Sequence, residues 1–424
     1  MRWPADPGQL MVLEQRRLLE TFAALTEARC LSERQKAVQA PTKIVQLHAR
    51  SVRISRLEGS GRLVLTPLGF SLLRQLSDGA FHSGEDLAAT VGLTRARVSQ
   101  LLKQAETAGL ALERVRGRGY RLLATPDFLD ADAIRAALAE FNVEVAPPDA
   151  KAPLLPAAND DDVVLPSGGP AIPLHPAIAV EVTDQVDSTS SELLRRASRR
   201  DIHGALLAAE WQTAGRGRRG RVWTAVAGGS LTFSLGWRFE QGAGFVAGLS
   251  LAVGVAVVRA LEAENLPGVE LKWPNDLVHR HLKVGGILVE LNGDALGPST
   301  VVVGVGLNVR LPTIVKRDIA QPVSDLTAVA GRGAPPIDRN RLLARVATEL
   351  AANLGKYAEN GFVPFAAEWQ RRHAYQGKPV KLLLPDGESV KGTVAGVDST
   401  GALVLADGPR RARFLAGEIS LRRA

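Results

Sequence analysis

The 424-residue sequence predicts an α+β fold in three parts: an N-terminal winged helix-turn-helix, a central domain around one mixed sheet, and a small C-terminal β-barrel. Three observations predict it. Between 66 and 123, helix-period segments broken at Gly92 give way to a short arginine-rich hairpin pattern. From about 178 to 373, strand-like runs alternate with helices. After 376 no helical period remains, and short alternating runs are separated by turn residues.

Composition narrows the class. A chain of this length exceeds one ordinary core, so several domains are expected. A single cysteine, Cys30, excludes an internal disulfide framework and points to a reducing compartment, the cytoplasm. Charges at Glu14, Arg16, Arg17, Glu20, Glu27 and Arg29 interrupt any secretory signal. The longest uncharged stretch, 241–258, is glycine-rich and short for a membrane span, so no membrane partner is expected. Residues 1–126 carry 19 Lys+Arg against 11 Asp+Glu, and the remainder 33 against 33, so the whole excess of +8 lies at the N-terminal end. Such a localised basic excess is the footprint of a nucleic-acid-binding module.

In chain order, residues 1–62 form an N-terminal extension of unknown role, helix-prone around 9–38. A helical extension, a flexible arm and sequence upstream of the true start are all compatible with it. Residues 63–126 form the winged helix-turn-helix. A first helix near Leu68–Leu76 precedes one capped by Ser83 and another capped by Thr94, with Gly92 permitting the tight turn. Leu87, Val91, Leu93, Val98, Leu101, Leu102 and Ala105 share an apolar face. Arg95, Arg97, Gln100 and Lys103 are left outward on the second of these helices, suited to a major groove. The hairpin LERVRGRGYRLL puts Arg114, Arg116 and Arg118 near its tip, suited to phosphates. A helix-turn-helix used for protein contacts is the plainer alternative.

Residues 127–177 read as a short helix, DADAIRAALAEF, followed by a Pro/Ala/Gly/Asp-rich linker without periodicity. Residues 178–373 form the central domain. Its strand-like runs are AIAVEVT, GALLAAEW, SLTFSLGW, GVELKWP, VGGILVEL and STVVVGVGLNV, with helices near 189–199, 245–264, 338–360 and 362–373. Residues 374–424 form the barrel, with turns at Pro385-Asp386-Gly387 and 398–401.

One loop dominates the chemistry. WQTAGRGRRGRVW places four arginines among three glycines between Gly215 and Arg221, a recipe for closing over phosphate or another anion. Gly215, Gly217 and Gly220 also fit G-x-G-x-x-G. The dinucleotide reading fails on context, because EWQTA is not a hydrophobic parallel strand and RVWTAVAGGS opens no helix. A solvated basic loop is the bland alternative. LKWPNDL and LKVGGILVE then add Lys272, Asn275, Asp276 and Lys283 at loop-like positions between apolar strands. His279 and His281 are poor zinc ligands, since no cysteine lies nearby.

The order of winged helix-turn-helix, GRGRRGR, KWPNDL, KVGGILVE, GVGLN and a small C-terminal barrel resembles the bifunctional biotin–protein ligases that also repress biotin synthesis. The resemblance covers residues 66–424 apart from the linker. It implies a biotin/lipoate ligase-like catalytic domain, an SH3-like barrel, and a two-step reaction. Biotin and ATP would give biotinyl-5′-AMP, and a lysine of a carboxylase biotin carrier domain would then accept the biotin. It further implies Lys283 and Arg218 as catalytic residues near the reacting carboxylate and α-phosphate. Ser188, Thr189, Ser190, Gln212, Arg216, Gly217, Arg218, Lys283, Gly285 and Gly286 would bind biotin. The family commonly has asparagine where this chain has Ser190, a shorter hydrogen-bonding group. Arg216, Arg218, Arg219, Arg221, Trp223, Lys272, Asn275 and Asn308 would bind the nucleotide, and Asp276 would meet magnesium or brace its own loop. Ligand-promoted homodimerisation and operator DNA complete the implied partners. A non-catalytic biotin-sensing regulator and a lipoate–protein ligase are the alternatives. The intact arginine loop and Lys283 disfavour the first, and the pairing of GRGRRGR with KWPND disfavours the second.

Overall fold

The computed structural model describes residues 66–107, 110–123, 127–147, 176–293, 297–384, 388–415 and 420–423, all within one unit, Arg62–Ala424. The extension 1–62, most of the linker and the turn at 385–387 lie outside the described residues.

Caps set the N-terminal helices. Thr66 accepts a hydrogen bond from the Gly69 amide and opens α1 (Pro67–Gln75), with proline at the position where a missing N–H is harmless. Ser83 accepts from the Asp86 amide to open α2 (Gly84–Val91), and Gly92, at φ 65°, closes it. The Thr94 hydroxyl accepts from Arg97 ahead of α3 (Arg95–Thr107). Phe70, Leu72, Leu73, Leu87, Val98, Leu101 and Leu102 form their common core, with Val91 and Leu93 packed against it. β1 (Leu112–Val115) and β2 (Gly119–Leu122) then pair antiparallel around a turn at 116–118. Asp130 caps α4 (Ala131–Glu140) through the Asp132 and Ala133 amides.

The central sheet contains β3 (Ala179–Val186), β4 (Ala205–Gln212), β5 (Ser230–Phe239), β6 (Glu270–Lys272), β7 (Asp276–His279), β8 (Leu282–Gly293) and β9 (Ser299–Asn308). Their spatial order is β3-β4-β5-β9-β8-β7-β6. β3 and β4 run parallel and the other neighbours antiparallel, so the sheet is mixed. α5 (Thr189–Ala197) follows β3, and α6 (Leu249–Ala263) follows β5. After β9 come α7 (Thr313–Asp318), α8 (Leu326–Ala330), α9 (Arg339–Asn360) and α10 (Val363–Arg371).

The two faces of this sheet differ, and the period of two explains why. Along β5, Leu231, Phe233, Leu235 and Trp237 join the main core with α6 and α9. Ser230, Thr232 and Ser234 point the other way. On β9, Val301, Val303, Val305 and Leu307 enter the same core, which leaves Gly304 and Gly306 beside the serines. One face is therefore oily and filled by helices. The other is small and polar at Ser230, Thr232, Ser234, Gly304 and Gly306 but covered in part by α5 over Leu207 and Val302.

A fully buried ion pair ties the segment before α4 to this domain. Arg339, at the start of α9, donates to both carboxylate oxygens of Glu210 on β4, at 2.9 and 3.1 Å. Glu210 also accepts from the Leu129 and Gly228 amides, and Arg339 donates to the Ser230 and Asp127 carbonyls. Such pairing is required of charges taken out of water, and removing one partner would strand the other.

The C-terminal region is a five-stranded antiparallel sheet of β10 (Pro379–Leu383), β11 (Ser389–Val397), β12 (Leu403–Asp407), β13 (Arg410–Phe414) and β14 (Ser420–Arg423), ordered β13-β12-β11-β10-β14. Among the described residues no helix is long and apolar enough to cross a membrane.

Four local expectations are corrected. The helix expected over 245–264 begins only at Leu249, because Gly248 turns left-handed at φ 81° after a short 3-10 turn at Ala243–Val246. The strand expected through Pro274 stops at Lys272, and Asp276–His279 forms β7 where a charged loop was read. Leu277 and Val278, both buried, carry that strand. Residues 205–212 form a strand parallel to β3, so a parallel strand does precede the glycine–arginine loop. The loop after it opens no α-helix, only a short 3-10 turn at Arg218–Gly220, so the exclusion rests on that.

Candidate active site

A cavity of about 810 Å³ opens over the small-residue face of the sheet. Its floor is a cradle of residues without bulk. A Cβ added at Gly306 would come within 2.5 Å of the Trp223 indole, and one at Gly304 within 2.6 Å of Ser190 Oγ. Gly286 lies against the Lys283 ammonium and Trp223. Larger side chains at these positions would displace the groups that form the walls.

One wall comes from the start of α5. Ser188 caps the helix by accepting from the Ser191 amide. The Thr189 amide donates to Gln212 Oε1 at 2.8 Å, and the Thr189 hydroxyl meets Ser234 Oγ at 2.8 Å. Ser190 Oγ meets the same Ser234 oxygen at 3.0 Å. Gln212, Thr189, Ser190 and Ser234 thus form a connected set of neutral donors and acceptors, suited to a polar uncharged group.

A second part of the lining is cationic. Residues 215–223 fold back as a narrow hairpin: Trp223 N donates to the Gly215 carbonyl and Gly217 N to the Arg221 carbonyl. Arg219 takes φ 58°, and Gly220 φ 69°, at the tip. Arg216 is tied down by Glu290 at 2.7 Å and by Ser191 Oγ at 3.1 Å. Arg218 donates to Asn275 Oδ1 at 3.2 Å. Burial pushes the Arg218 guanidinium below its usual range; Arg219 and Arg221 push the same way against Asp276. A guanidinium remains charged under such pressure, so the site holds a poorly solvated cation that an anion would relieve.

Lys283 reaches the cavity through a β-bulge. Asp276 pairs with Gly286 and Leu277 with Gly285, but Val278 then pairs with Lys283, leaving Val284 as the extra residue. Without the bulge, Val284 would face Val278 and Lys283 would point to the other side of the sheet. With it, Val284 is buried in the core while Lys283 Nζ stands 2.6 Å from Asp276 Oδ1 in the cavity. Lys272 Nζ lies 3.9 Å from the same carboxylate. The backbone of Lys283 is fixed by the Pro322 carbonyl and the Ser324 amide.

Of the site residues expected from sequence, Ser188, Thr189, Ser190, Gln212, Arg216, Gly217, Arg218, Arg219, Arg221, Trp223, Lys272, Asn275, Asp276, Lys283 and Gly286 all line this one cavity. Gly285 and Asn308 do not. Gly285 faces the core side, where an added Cβ would meet Leu307 at 2.7 Å and Leu277 at 2.9 Å. Asn308 is buried and donates to the Ser324 carbonyl at 3.0 Å and the Lys283 carbonyl at 3.4 Å, bracing the loop that fixes Lys283. Sequence reasoning missed Ser234, Gly304, Gly306, Glu290 and the 319–322 segment of the cavity wall. The serine and the two glycines were legible as every second residue of their strands; Glu290 gave no local signal. Among the described residues, no group of three or more His, Cys, Asp or Glu could hold a metal ion.

Comparison with known proteins bears on this geometry. Residues 182–308 match the biotin/lipoate A/B protein ligase family, and residues 375–422 match the biotin protein ligase C-terminal domain. The chain is 32% identical over 359 residues to the bifunctional ligase/repressor BirA of Salmonella typhimurium, covering 85% of this chain and 99% of that protein. The chain belongs to the biotin protein ligase family. It is also 38% identical over 248 residues to the biotin–[acetyl-CoA-carboxylase] ligase of Mycobacterium tuberculosis, covering 57% of this chain and 88% of that protein. Among solved structures, it is similar to the Aquifex aeolicus biotin protein ligase in complex with biotin and ATP. That likeness has a TM-score of 0.50 and 31% identity, and covers 57% of this chain and 98% of the other. The arginine hairpin and the WPND turn, both at this cavity, lie inside the matched residues 182–308.

Proposed function

We propose that this protein is an ATP-dependent biotin–protein ligase that forms biotinyl-5′-AMP, transfers biotin to a lysine of a carboxylase carrier domain, and acts as a biotinyl-AMP-responsive repressor. The observation that carries the first half is the polarity of the cavity. The neutral hydrogen-bonding groups at Ser188, Thr189, Ser190 and Gln212 share one cavity with the cations Arg216, Arg218, Arg219, Arg221, Lys272 and Lys283. Biotin has a neutral ureido ring at one end and a carboxylate at the other, and the nucleotide brings phosphates to meet it.

In the first step a biotin carboxylate oxygen attacks the α-phosphorus, and the bond to the β-phosphate oxygen breaks, releasing pyrophosphate. Both reactants are anions, so their approach needs cations already oriented and drained of water. Lys283 would neutralise charge at the reacting carboxylate and α-phosphate, and Arg218 would stabilise the developing phosphoryl charge. The Ser188–Ser190 segment and Gln212 would hold the ureido ring, with Trp223, seated on Gly306, against the adenine. In the second step a carrier lysine amine attacks the acyl carbon of the mixed anhydride and expels AMP.

Magnesium fits this donor set only as an ion carried by the nucleotide. Asp276 is the one carboxylate among the residues lining the cavity, and such ions commonly take one or two carboxylates plus substrate phosphates. Asp276 would hold it, and the ion would add neutralising charge at the phosphates.

The repressor half rests on the chain's similarity to proteins named as bifunctional ligase/repressor and on the N-terminal helices. The surface positions of α3, Arg95, Arg97, Gln100 and Lys103, would enter a major groove as the second helix of a winged helix-turn-helix. Arg114, Arg116 and Arg118, exposed on the β1–β2 hairpin, would contact phosphates. The five-stranded C-terminal sheet would be an SH3-like barrel, and the adenylate would promote a homodimer that binds a two-fold operator in the cytoplasm.

One incubation tests the assignment: the protein with ATP, labelled biotin or labelled lipoate, and a biotin carrier domain. Labelled carrier only from biotin is expected. Label from lipoate would make it a lipoate ligase, and tight biotin binding without labelled carrier would make it a non-catalytic regulator.

A further inference from the structure

Trp273 begins the WPND turn that carries Asn275 and Asp276 into the cavity, and it lines that cavity too, while its ring nitrogen is engaged by the C-terminal sheet. The indole is buried, and its Nε1 donates to the Gly401 carbonyl at 3.1 Å. Gly401 belongs to the turn between β11 and β12 in the C-terminal sheet. That turn is built for one position. Asp398 accepts from the Thr400 and Ala402 amides at 2.8 and 3.0 Å and from the Thr400 hydroxyl at 2.7 Å, and pairs with Arg413 on β13.

The turn also fits the catalytic domain with no spare room. A Cβ added at Gly401 would lie 2.7 Å from Gly248 Cα, and one at Gly248 would lie 2.9 Å from the Thr400 carbonyl oxygen. Both glycines have φ +81°. The carbonyl that receives the indole therefore cannot shift without moving the start of α6, whose Ser250 in turn donates to the Pro274 carbonyl at 3.2 Å. Asn275, two residues beyond Trp273, meets Arg218 and is paired with Ile287 in both directions.

We infer that Trp273 is a positioning residue for the phosphate end of the cavity. Its indole hydrogen bond lets the Asp398–Gly401 turn of the C-terminal sheet set where Asn275 and Asp276 stand toward the nucleotide. The inference deepens the ligase reading and rests on it. Neutral contacts at Ser188, Thr189, Ser190 and Gln212 lie on other elements, so the ureido end of biotin is remote from this link and the larger loss is expected at the nucleotide.

The test uses biotin-dependent exchange of pyrophosphate into ATP by the full chain, with direct binding of biotin in the absence of ATP. Trp273→Phe keeps an aromatic ring and removes the donor; Asp398→Ala unpins the turn. Each is expected to raise the KM for ATP about tenfold, the scale of one lost buried hydrogen bond acting on a binding group. Biotin affinity should change less than the KM for ATP, because only the carboxylate end of biotin meets groups tied to this turn. Because both changes break one link, the double variant should show about the same KM as the worse single variant rather than the product. Multiplying effects, or an unchanged KM for ATP in Trp273→Phe with lowered thermal stability alone, would overturn the inference. Should Asp398→Ala fail to fold, Trp273→Phe against the wild type still decides. Absence of exchange by the wild type would instead sink the ligase reading itself.

Discussion

Lys283 Nζ stands 2.6 Å from Asp276 Oδ1, and a single extra residue, Val284, puts it there. The bulge turns the ammonium onto the cavity side of a strand whose regular pairing would have sent it toward the core. Asp276 thereby holds the lysine in place until a substrate anion arrives. Lys283→Ala is expected to slow adenylate formation by at least about 100-fold, the scale of losing one preorganised charge at a transition state. Asp276→Asn should cost less, about tenfold, since it removes a brace but leaves the cation. Single-turnover pyrophosphate release at saturating magnesium measures both; equal losses would mean that the carboxylate matters to the step as much as the ammonium it braces.

The glycines under Trp223 make a second prediction. Gly306→Ala would put a methyl group 2.5 Å from the indole, which must then move off the cavity floor. The KM for ATP should rise about tenfold or more, as expected when a stacked aromatic loses its seat. Gly285→Ala also crowds its neighbours, but on the core side, so its effect should fall on stability and leave the KM for ATP in place. Steady-state kinetics beside thermal melting separates the two.

Much of this site was legible because its parts are local. The arginine–glycine hairpin, KWPND and KVGG are short runs of distinctive composition, and all three reach one cavity, although KVGG does so from within β8. The strands of the central sheet were legible by their alternation, most clearly SLTFSLGW, where large apolar and small polar residues take turns. What stayed hidden depends on register across strands. Nothing in LKVGGILVE announces that Val284 is unpaired, and so nothing separates Gly286, under Lys283, from Gly285, against Leu307. Asn308 sits in GVGLN beside the two cradle glycines, but its side chain turns to the 324 carbonyl, a partner sixteen residues away. The left-handed turn at Gly248 depends on the C-terminal turn pressed against it, a contact that sequence spacing cannot express.

His373 predicts an acid limb in stability. It is 4% exposed, stacked on Trp369, and receives the Trp273 amide at Nε2 at 3.4 Å. Burial pushes its imidazole down from 6.5 to about 3, with Lys378 adding to the effect. Below pH 6.5 the unfolded chain takes up a proton that the folded chain refuses, so the stabilisation present above that pH drains away as pH falls toward 3. The expected slope from this group is about 1.4 kcal/mol per pH unit. Denaturant unfolding between pH 7 and 4 should show it, and His373→Gln should flatten that limb. An unchanged slope would mean that His373 is protonated in the folded state.

The arginine hairpin should report ligand. Its backbone bonds are few, from Gly217 to Arg221, from Arg221 to Arg218 and from Trp223 to Gly215, and Arg219, Gly220, Arg221 and Val222 are exposed. A segment so held opens easily, and an anionic ligand gathering four guanidinium groups would oppose opening. Trypsin cleavage within 214–221 is expected to slow by about tenfold or more with biotin plus ATP, following the mass-action stabilisation of the closed form. Cleavage at one rate with and without both ligands would count against closure.

The N-terminal arginines should divide into two classes in DNA binding. Arg116 stands at the hairpin turn in open solvent, whereas Arg97 on α3 is half-buried and donates to Gln100 Oε1 at 2.7 Å. A fixed guanidinium–amide pair on a helix surface can present an oriented set of donors to base edges; a solvent-exposed arginine at a hairpin tip can supply charge but little geometry. Arg116→Ala should weaken binding to specific and random duplexes alike and lower the dependence of log K on log salt by about one, the release of one phosphate contact. Arg97→Ala should cost about 1–3 kcal/mol on the specific site and much less on random DNA, which erodes discrimination with little change in salt slope. Mobility shifts on a biotin-gene promoter and a scrambled duplex, each at several salt concentrations with biotin and ATP present, measure both quantities. If the two variants lost affinity in parallel on both duplexes, α3 would be a charged surface rather than a reader of sequence.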